Sequence, residues 1–274
     1  MAFPEVSVIF SPHTPPEEYV PLAREAERAG LAEVWVWEDC FYESGIGAAA
    51  AILGATEHLR VGIGLLPVPL RAVALTAMEI STISRMFPGR LLPGIGHGIL
   101  DWMGQAGVRA ASPLTLLREQ AIALKALLAG QEVTTSGRYV NLEGVQLAWP
   151  ASPTPPVYIG GRGPKTLAVA GEFADGLILD GPFDAQAHRE SLETALAARR
   201  AAGIDAPFDL VKFGELPWDA SAEQIADMAG AHAEVGITRW SLLTLDRERR
   251  PEPRDGIPRL IEAIAEARTQ MQGD

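Results

Sequence analysis

Cysteine is nearly absent. Cys40 is the only one in 274 residues, which excludes an intrachain disulfide and argues against a cysteine-built metal centre. Positive charge is also scarce: 23 Lys and Arg face 35 Asp and Glu, for a formal net charge of −12. That balance suits neither nucleic acid nor an anionic membrane. A phosphate-bearing ligand would have to be held by local donors against this background. No apolar run is long and charge-free enough to span a bilayer. The first residues run straight into Val6-Ser7-Val8-Ile9-Phe10 with no basic stretch before them, which reads as a strand and not a secretory signal. A cytoplasmic location is expected. His, Asp and Glu do not cluster at ligand spacing, so no catalytic metal is expected.

What the chain does have is a cadence. Eight times a short apolar run gives way to a helical stretch, which predicts an α/β fold, a (β/α)8 TIM barrel, as one domain over residues 1–274. Strands are expected at 6–10, 33–37, 60–66, 90–96, 156–160, 176–180, 208–213 and 239–244. Thr14 reads as the N-cap of the first helix, with Pro15 at its first position and Glu17 completing a capping box. Later helices are expected at 47–56, 70–86, 112–128, 164–172, 184–202, 221–235 and after a Glu/Arg/Pro-rich loop at 246–255. Residues 132–149, with Gly137 and Gly144 at turn positions, read as a hairpin-like insertion after the fourth helix.

Barrels of this kind place their chemistry on the loops after the strands. The clearest binding signal there is Gly160-Gly161-Arg162-Gly163-Pro164-Lys165-Thr166. Glycines let backbone N–H groups approach an anion, the helix opening at Pro164 turns its positive end to the same spot, and Arg162, Lys165 and Thr166 add charge and a hydroxyl. The alternative is an ordinary glycine-rich turn with solvated cations; the coincidence of all three features favours phosphate. The spacing is not that of a Walker loop. Gly94-Ile95-Gly96-His97-Gly98 ends the fourth strand, where glycines would leave room for a flat ring. His97 either donates to a ring or substrate or bonds a neighbouring loop. Glu38-Asp39-Cys40 follows the second strand. A carboxylate there can meet ring nitrogens or act as a base; alternatively Glu38 or Asp39 pairs with an arginine or caps the next element. Asp39 is the favoured functional residue, and Cys40 reads as a packed side chain. Gly62 and Gly64 mark a bulge or close approach in the third strand. His13 could line the rim, while His58, His188 and His232 fall on or beside outer helices and receive no role.

These segments carry a resemblance. The chain resembles the bacterial luciferase-like flavin or deazaflavin oxidoreductases, and within them the deazaflavin-dependent branch that includes methylenetetrahydromethanopterin reductases and glucose-6-phosphate dehydrogenases. The matching stretches are Trp37-Glu38-Asp39-Cys40-Phe41, Gly64-Leu65-Leu66-Pro67, Phe87-Pro88-Gly89-Arg90, Gly94-Ile95-Gly96-His97-Gly98 and Gly161-Arg162-Gly163-Pro164-Lys165-Thr166, with the trailing Ala174-Asp175-Gly176. The resemblance implies a tricyclic redox ring across the barrel mouth, coenzyme F420 or alternatively FMN. It implies a non-proline cis peptide at Gly64-Leu65 behind the ring, Asp39 at the ring's polar edge, and the phosphate of the cofactor tail at 162–166. Gly96, His97, Gly98 and Gly161 join the same cofactor site. Cys40 and Ile99 depart from the sugar-phosphate dehydrogenases, which carry histidine and an acid at those positions, so sugar-phosphate oxidation is not expected. Proton handling then falls to Asp39, His97 or Asp101, and Phe41, Leu65, Ile99 and Trp102 point to an apolar or aromatic substrate.

The leading expectation is hydride transfer between F420 and a small organic substrate. The alternatives are an FMN-dependent monooxygenase fed by a separate reductase, a non-catalytic flavin-binding protein and, last, a phosphosugar enzyme. A homodimer is expected from the family likeness and from the tendency of exposed apolar helix faces to pair.

Overall fold

The computed structural model describes residues 2–246, 248, 250 and 256–273. The first half runs β1 (Glu5–Phe10), α1 (Tyr19–Arg28), β2 (Glu33–Val36), α2 (Gly45–Ala55), β3 (Arg60–Pro67), α3 (Val73–Met86), β4 (Leu91–Gly96), α4 (Leu100–Gln105) and α5 (Pro113–Leu128). The second runs β5 (Val133–Ser136), β6 (Asn141–Val145), β7 (Tyr158–Gly160), α6 (Pro164–Phe173), β8 (Gly176–Leu179), α7 (Ala185–Ala201), β9 (Asp209–Pro217), α8 (Ala222–Ala233), β10 (Arg239–Leu245) and α9 (Gly256–Gly273). Eight strands close into a parallel barrel in the order β1-β2-β3-β4-β7-β8-β9-β10. β5 and β6 form a separate antiparallel hairpin, the expected insertion. Parallel strands covered on both faces need apolar residues throughout, and β2 and β8 are buried along their whole length.

Two cores result. One fills the space between strands and helices and takes in Ile257, Leu260, Ile261 and Ile264 of α9. The other fills the barrel itself: Ile9, Trp35, Leu92, Tyr158, Ile178, Val211, Phe213, Leu243 and Leu245. Glycine makes room for the large rings. A Cβ at Gly62 would lie 2.1 Å from the Trp35 ring, and one at Gly64 would lie 2.3 Å from Phe213.

Several local expectations need correction. Thr14 does not cap a helix. Its N–H bonds back to the Ser11 carbonyl at 2.8 Å, and its hydroxyl is buried without a partner among the described residues. Pro16–Glu18 then form a 3-10 turn with no side-chain cap, and α1 starts at Tyr19. α2 begins at Gly45, capped by Ser44, and α3 begins at Val73 because Val68–Leu70 make their own 3-10 turn. α4 is an additional short helix within what reads as a loop in the sequence. β9 runs on to Pro217, beyond the expected 213. Of the loop at 246–255, residues 247, 249 and 251–255 lie outside the described residues.

The N-terminal ends of four strands are tied by charge. Glu33 of β2 is fully buried and pairs with Arg239 of β10 and, at 3.2 Å, with Arg60 of β3. It also accepts from Trp35 Nε1 at 3.1 Å. Arg239 reaches Asp209 of β9 at 3.1 Å, and Asp209 accepts from the Tyr158 hydroxyl at 2.8 Å. Removing one partner of a buried network leaves the other charge uncompensated. Glu33→Ala is therefore expected to lower unfolding free energy by about 3–5 kcal/mol, read from urea denaturation. A loss under about 1 kcal/mol, the scale of a surface pair, would show that the network does not hold the barrel's lower end.

Candidate functional site

At the opposite end of the barrel lies a cavity of about 390 Å³. Its lining comes from the ends of β2, β3, β4, β7, β8 and β9: Trp37, Glu38, Asp39, Gly64, Leu65, Pro67, His97, Gly98, Ile99, Trp102, Gly160, Gly161, Ile178, Asp180 and Phe213. The strand ends thus bring Asp39, Gly64, Leu65, His97, Gly98 and Gly161 together. Asp101 sits exposed in the first turn of α4 and is not among the lining residues. Gly96 is not among them either. It makes room for Leu65, not for a ring: a Cβ at Gly96 or Gly160 would lie 2.5 or 2.4 Å from Leu65 Cδ2. Leu65 is thereby seated across the barrel as the cavity floor. The Gly64–Leu65 peptide is cis, and so is Cys40–Phe41, which the sequence did not reveal.

The two carboxylates after β2 divide their work. Glu38 is buried, binds Arg71 through two nitrogens, and accepts from the Gly45 N–H at 2.8 Å. Arg71 also meets Glu79 at 3.1 Å. Glu38 thus caps α2 and anchors the segment after β3. The Asp39 carboxylate has no hydrogen bond or ion pair among the described residues. Burial, then the nearby Glu43, push its pKa up, while His13 pulls it down.

On the facing wall His97 Nε2 meets Thr166 Oγ1 at 3.0 Å, so the Thr166 hydroxyl is engaged by the protein itself. Among the described residues, no group meets the buried His97 Nδ1 in hydrogen-bonding geometry, and the same holds for Trp37 Nε1. Burial lowers the His97 pKa, with the Pro113 backbone acting the other way.

The glycine-rich turn leads into α6, whose N-cap Gly163 offers no side chain, with Pro164 in the first turn. Among the described residues no acceptor meets the N–H groups of Arg162, Gly163 or Lys165. Arg162 is bound to Asp180 at 2.6 Å, both largely exposed. The turn therefore offers free backbone donors and a helix start, with one cation already paired.

Sequence reasoning missed Pro67, Ile178, Asp180 and Phe213. Pro67 ends β3 and Asp180 directly follows β8, so a rule naming the last residue of each barrel strand and the one after it would have found those two, whereas Ile178 and Phe213 lie inside β8 and β9.

The luciferase-like monooxygenase family profile matches residues 2–272. The chain belongs to that family. The chain is 29% identical, over 72% of its length, to a 5,10-methylenetetrahydromethanopterin reductase of Methanolobus tindarius. It is 27% identical, over 82%, to an F420-dependent glucose-6-phosphate dehydrogenase of Beutenbergia cavernae. It spans 60% and 66% of those two relatives. In fold it matches the structure of an F420-dependent secondary alcohol dehydrogenase in complex with an F420–acetone adduct, with a TM-score of 0.84 over 97% of this chain and 99% of that one, at 18% identity.

The half-buried His97 imidazole is expected to titrate below the ordinary 6.5, observed by NMR of the ring carbons. A midpoint at or above that value would show a ring open to solvent or paired with a carboxylate.

Proposed function

We propose that this family member is an F420-dependent oxidoreductase acting on a small, uncharged and largely apolar organic substrate. The observation that carries the reading is the junction of two features. A cavity floored by Leu65 and Phe213 is lined on one side by Gly160 and Gly161, and the turn they begin leads through Arg162 and Gly163, outside the lining, to the start of α6, which has no side-chain cap, and Lys165. A ligand with a flat apolar ring and an anionic tail is what such a junction accommodates. The cavity volume lies in the range of small-molecule sites, and its polar groups are few. Trp37 and His97 line the cavity, but Trp37 Nε1 and His97 Nδ1 are buried away from the open space. The naming of F420 in the relative from Beutenbergia cavernae supports the deazaflavin over FMN.

Bound at this site, the deazaflavin supplies hydride-transfer chemistry. The chain's own residues do the rest. Leu65 provides the surface on which the ring rests. The N–H groups of Arg162, Gly163 and Lys165, with the Lys165 ammonium, hold the phosphate. Trp37, Trp102, Ile99 and Phe213 exclude water, which strengthens every polar contact inside. Asp39, whose carboxylate has no partner among the described residues, takes the ring's polar edge and holds or releases a proton there, and His97 is the second proton-handling group. Asp101, outside the lining, is given no part. Cys40 is buried and Ile99 lines the cavity, and neither supplies the acid–base group that oxidation of a sugar phosphate would need.

Titration of the purified protein with F420, followed by cofactor fluorescence, tests the reading. Saturable binding is expected. Lys165→Ala should weaken it about tenfold, the scale of one charged hydrogen bond, with thermal stability unchanged. Tight FMN binding without an F420 response would overturn the choice of cofactor.

Because burial raises the Asp39 pKa, a step needing its carboxylate should fail on acidification with a midpoint above the ordinary 3.8. Turnover with a panel of ketones and alcohols should show that acid limb, and Asp39→Asn should remove it. An unaltered limb in Asp39→Asn assigns the proton elsewhere. We further infer a homodimer, since the outer face of α3 exposes Leu75, Met78 and Met86. Light scattering reads the mass directly, and a monomer at micromolar concentration would contradict it.

A further inference from the structure

We propose that Lys212 is a positioning residue for the cofactor cradle: its buried side chain holds the loop after β8 and, through that loop, sets Asp180 and Arg162. The inference rests on the cradle assignment above.

Lys212 lies on β9 and is 1% exposed. Its neighbours Val211 and Phe213 belong to the barrel interior, so alternation along the strand turns Lys212 outward, beneath the helices. Its Nζ donates to the Gly181 carbonyl at 2.5 Å and to that of Phe213. Gly181 has φ +84, and a Cβ there would lie 2.9 Å from Arg162 Nη2. The Arg162 guanidinium thus rests against Gly181 while its Nε binds Asp180. The chain of contact runs Lys212, Gly181, Arg162, Asp180, and ends in the cavity wall.

The rest of the loop is pinned in the same place. Phe183 stacks on His232 at 4.1 Å and lies 5.3 Å from His188, and His232 stacks in turn on Trp240 at 4.3 Å. The charged and titratable groups around Lys212 are Asp180 past β8, Arg162 in the turn before α6, Glu215 on β9, His188 on α7 and His232 on α8. Asp180 and Glu215 favour the ammonium; Arg162 opposes it. Burial outweighs them all and lowers the Lys212 pKa to about 8. Burial first, with Lys212 adding to it, lowers His232 to about 4. His188 is lowered by burial as well. Near neutral pH Lys212 is therefore a cation beside two neutral rings, His188 and His232. An ammonium is a stronger donor to a carbonyl than an amine, so the grip on Gly181 weakens as pH rises past 8. Global stability follows the opposite sign. The unfolded lysine binds more protons than the buried one between about 8 and 10.5, so folding gains as pH rises through that window.

Hydrogen exchange of the segment 181–184, expressed as protection factors, reads the loop without any cofactor. In the wild type, protection should fall between pH 7 and 9.5 while the urea midpoint does not fall. In Lys212→Met, protection should already be about tenfold lower at pH 7, the scale of one charged hydrogen bond, and flat with pH. Lys212→Gln should lie between the two. F420 affinity should drop several-fold in Lys212→Met but show no further loss when Arg162→Ala is already present, since the two act in one chain. Protection that does not change with pH in the wild type overturns the proposal, and that arm needs no variant to fold. Faster exchange with F420 affinity unchanged in both Lys212→Met and Arg162→Ala sinks the cradle assignment, and with it the link from lysine to cofactor.

Discussion

A closed eight-stranded barrel has an interior just wide enough for side chains, and here a column of aromatic rings occupies it. Tyr158 meets Trp35 at 6.0 Å, Trp35 meets Phe213 at 5.3 Å, and Phe213 meets Trp37 at 5.8 Å. The column begins at the ion network, where the Tyr158 hydroxyl binds Asp209, and ends in the cavity lining with Trp37 and Phe213. Close packing forces the facing strands to give way. Gly62 and Gly64 yield to rings, and Gly96 and Gly160 yield to Leu65. A single methyl at any of these positions would meet a neighbour at 2.5 Å or less, and protein interiors transmit such shifts instead of absorbing them. The floor of the site is therefore set by the filling of the barrel beneath it.

That constraint explains which parts of the site could be read from the sequence. The barrel was legible because its strands are short, mostly apolar runs and many of the turns between elements carry glycine or proline. The insertion at 132–149 was legible from its own turn glycines. The purpose of the glycines was not. Gly94-Ile95-Gly96 reads as space left for a ligand, yet Gly96 accommodates Leu65, a residue thirty-one positions earlier. Only the packing of β3 against β4 and β7 decides that. Thr14 fails for a similar reason. Local propensity favours a cap, but the Ser11 carbonyl captures its N–H first. Glu38 and Asp39 are adjacent and alike, and no local rule separates them. They differ because Arg71, thirty-three residues away, reaches one and not the other. His188, His232 and Lys212 lie far apart in the chain and gave no pattern at all.

Charge at the cradle follows from the same geometry. The chain is acidic overall, and Arg162 is already neutralised by Asp180. A phosphate arriving at the turn must compete with that carboxylate, so Arg162 exchanges one anion for another and contributes less than its charge implies. The pair is exposed, where such bridges are worth at most about 1 kcal/mol, so the exchange is not prohibitive. Lys165 faces no such rival, and the free N–H groups at the start of α6 need no rearrangement to donate. By that comparison the larger share of anion binding falls to the helix start and Lys165. Arg162 instead couples the occupied cradle to Asp180 and hence to the wall of the cavity, where the substrate would sit.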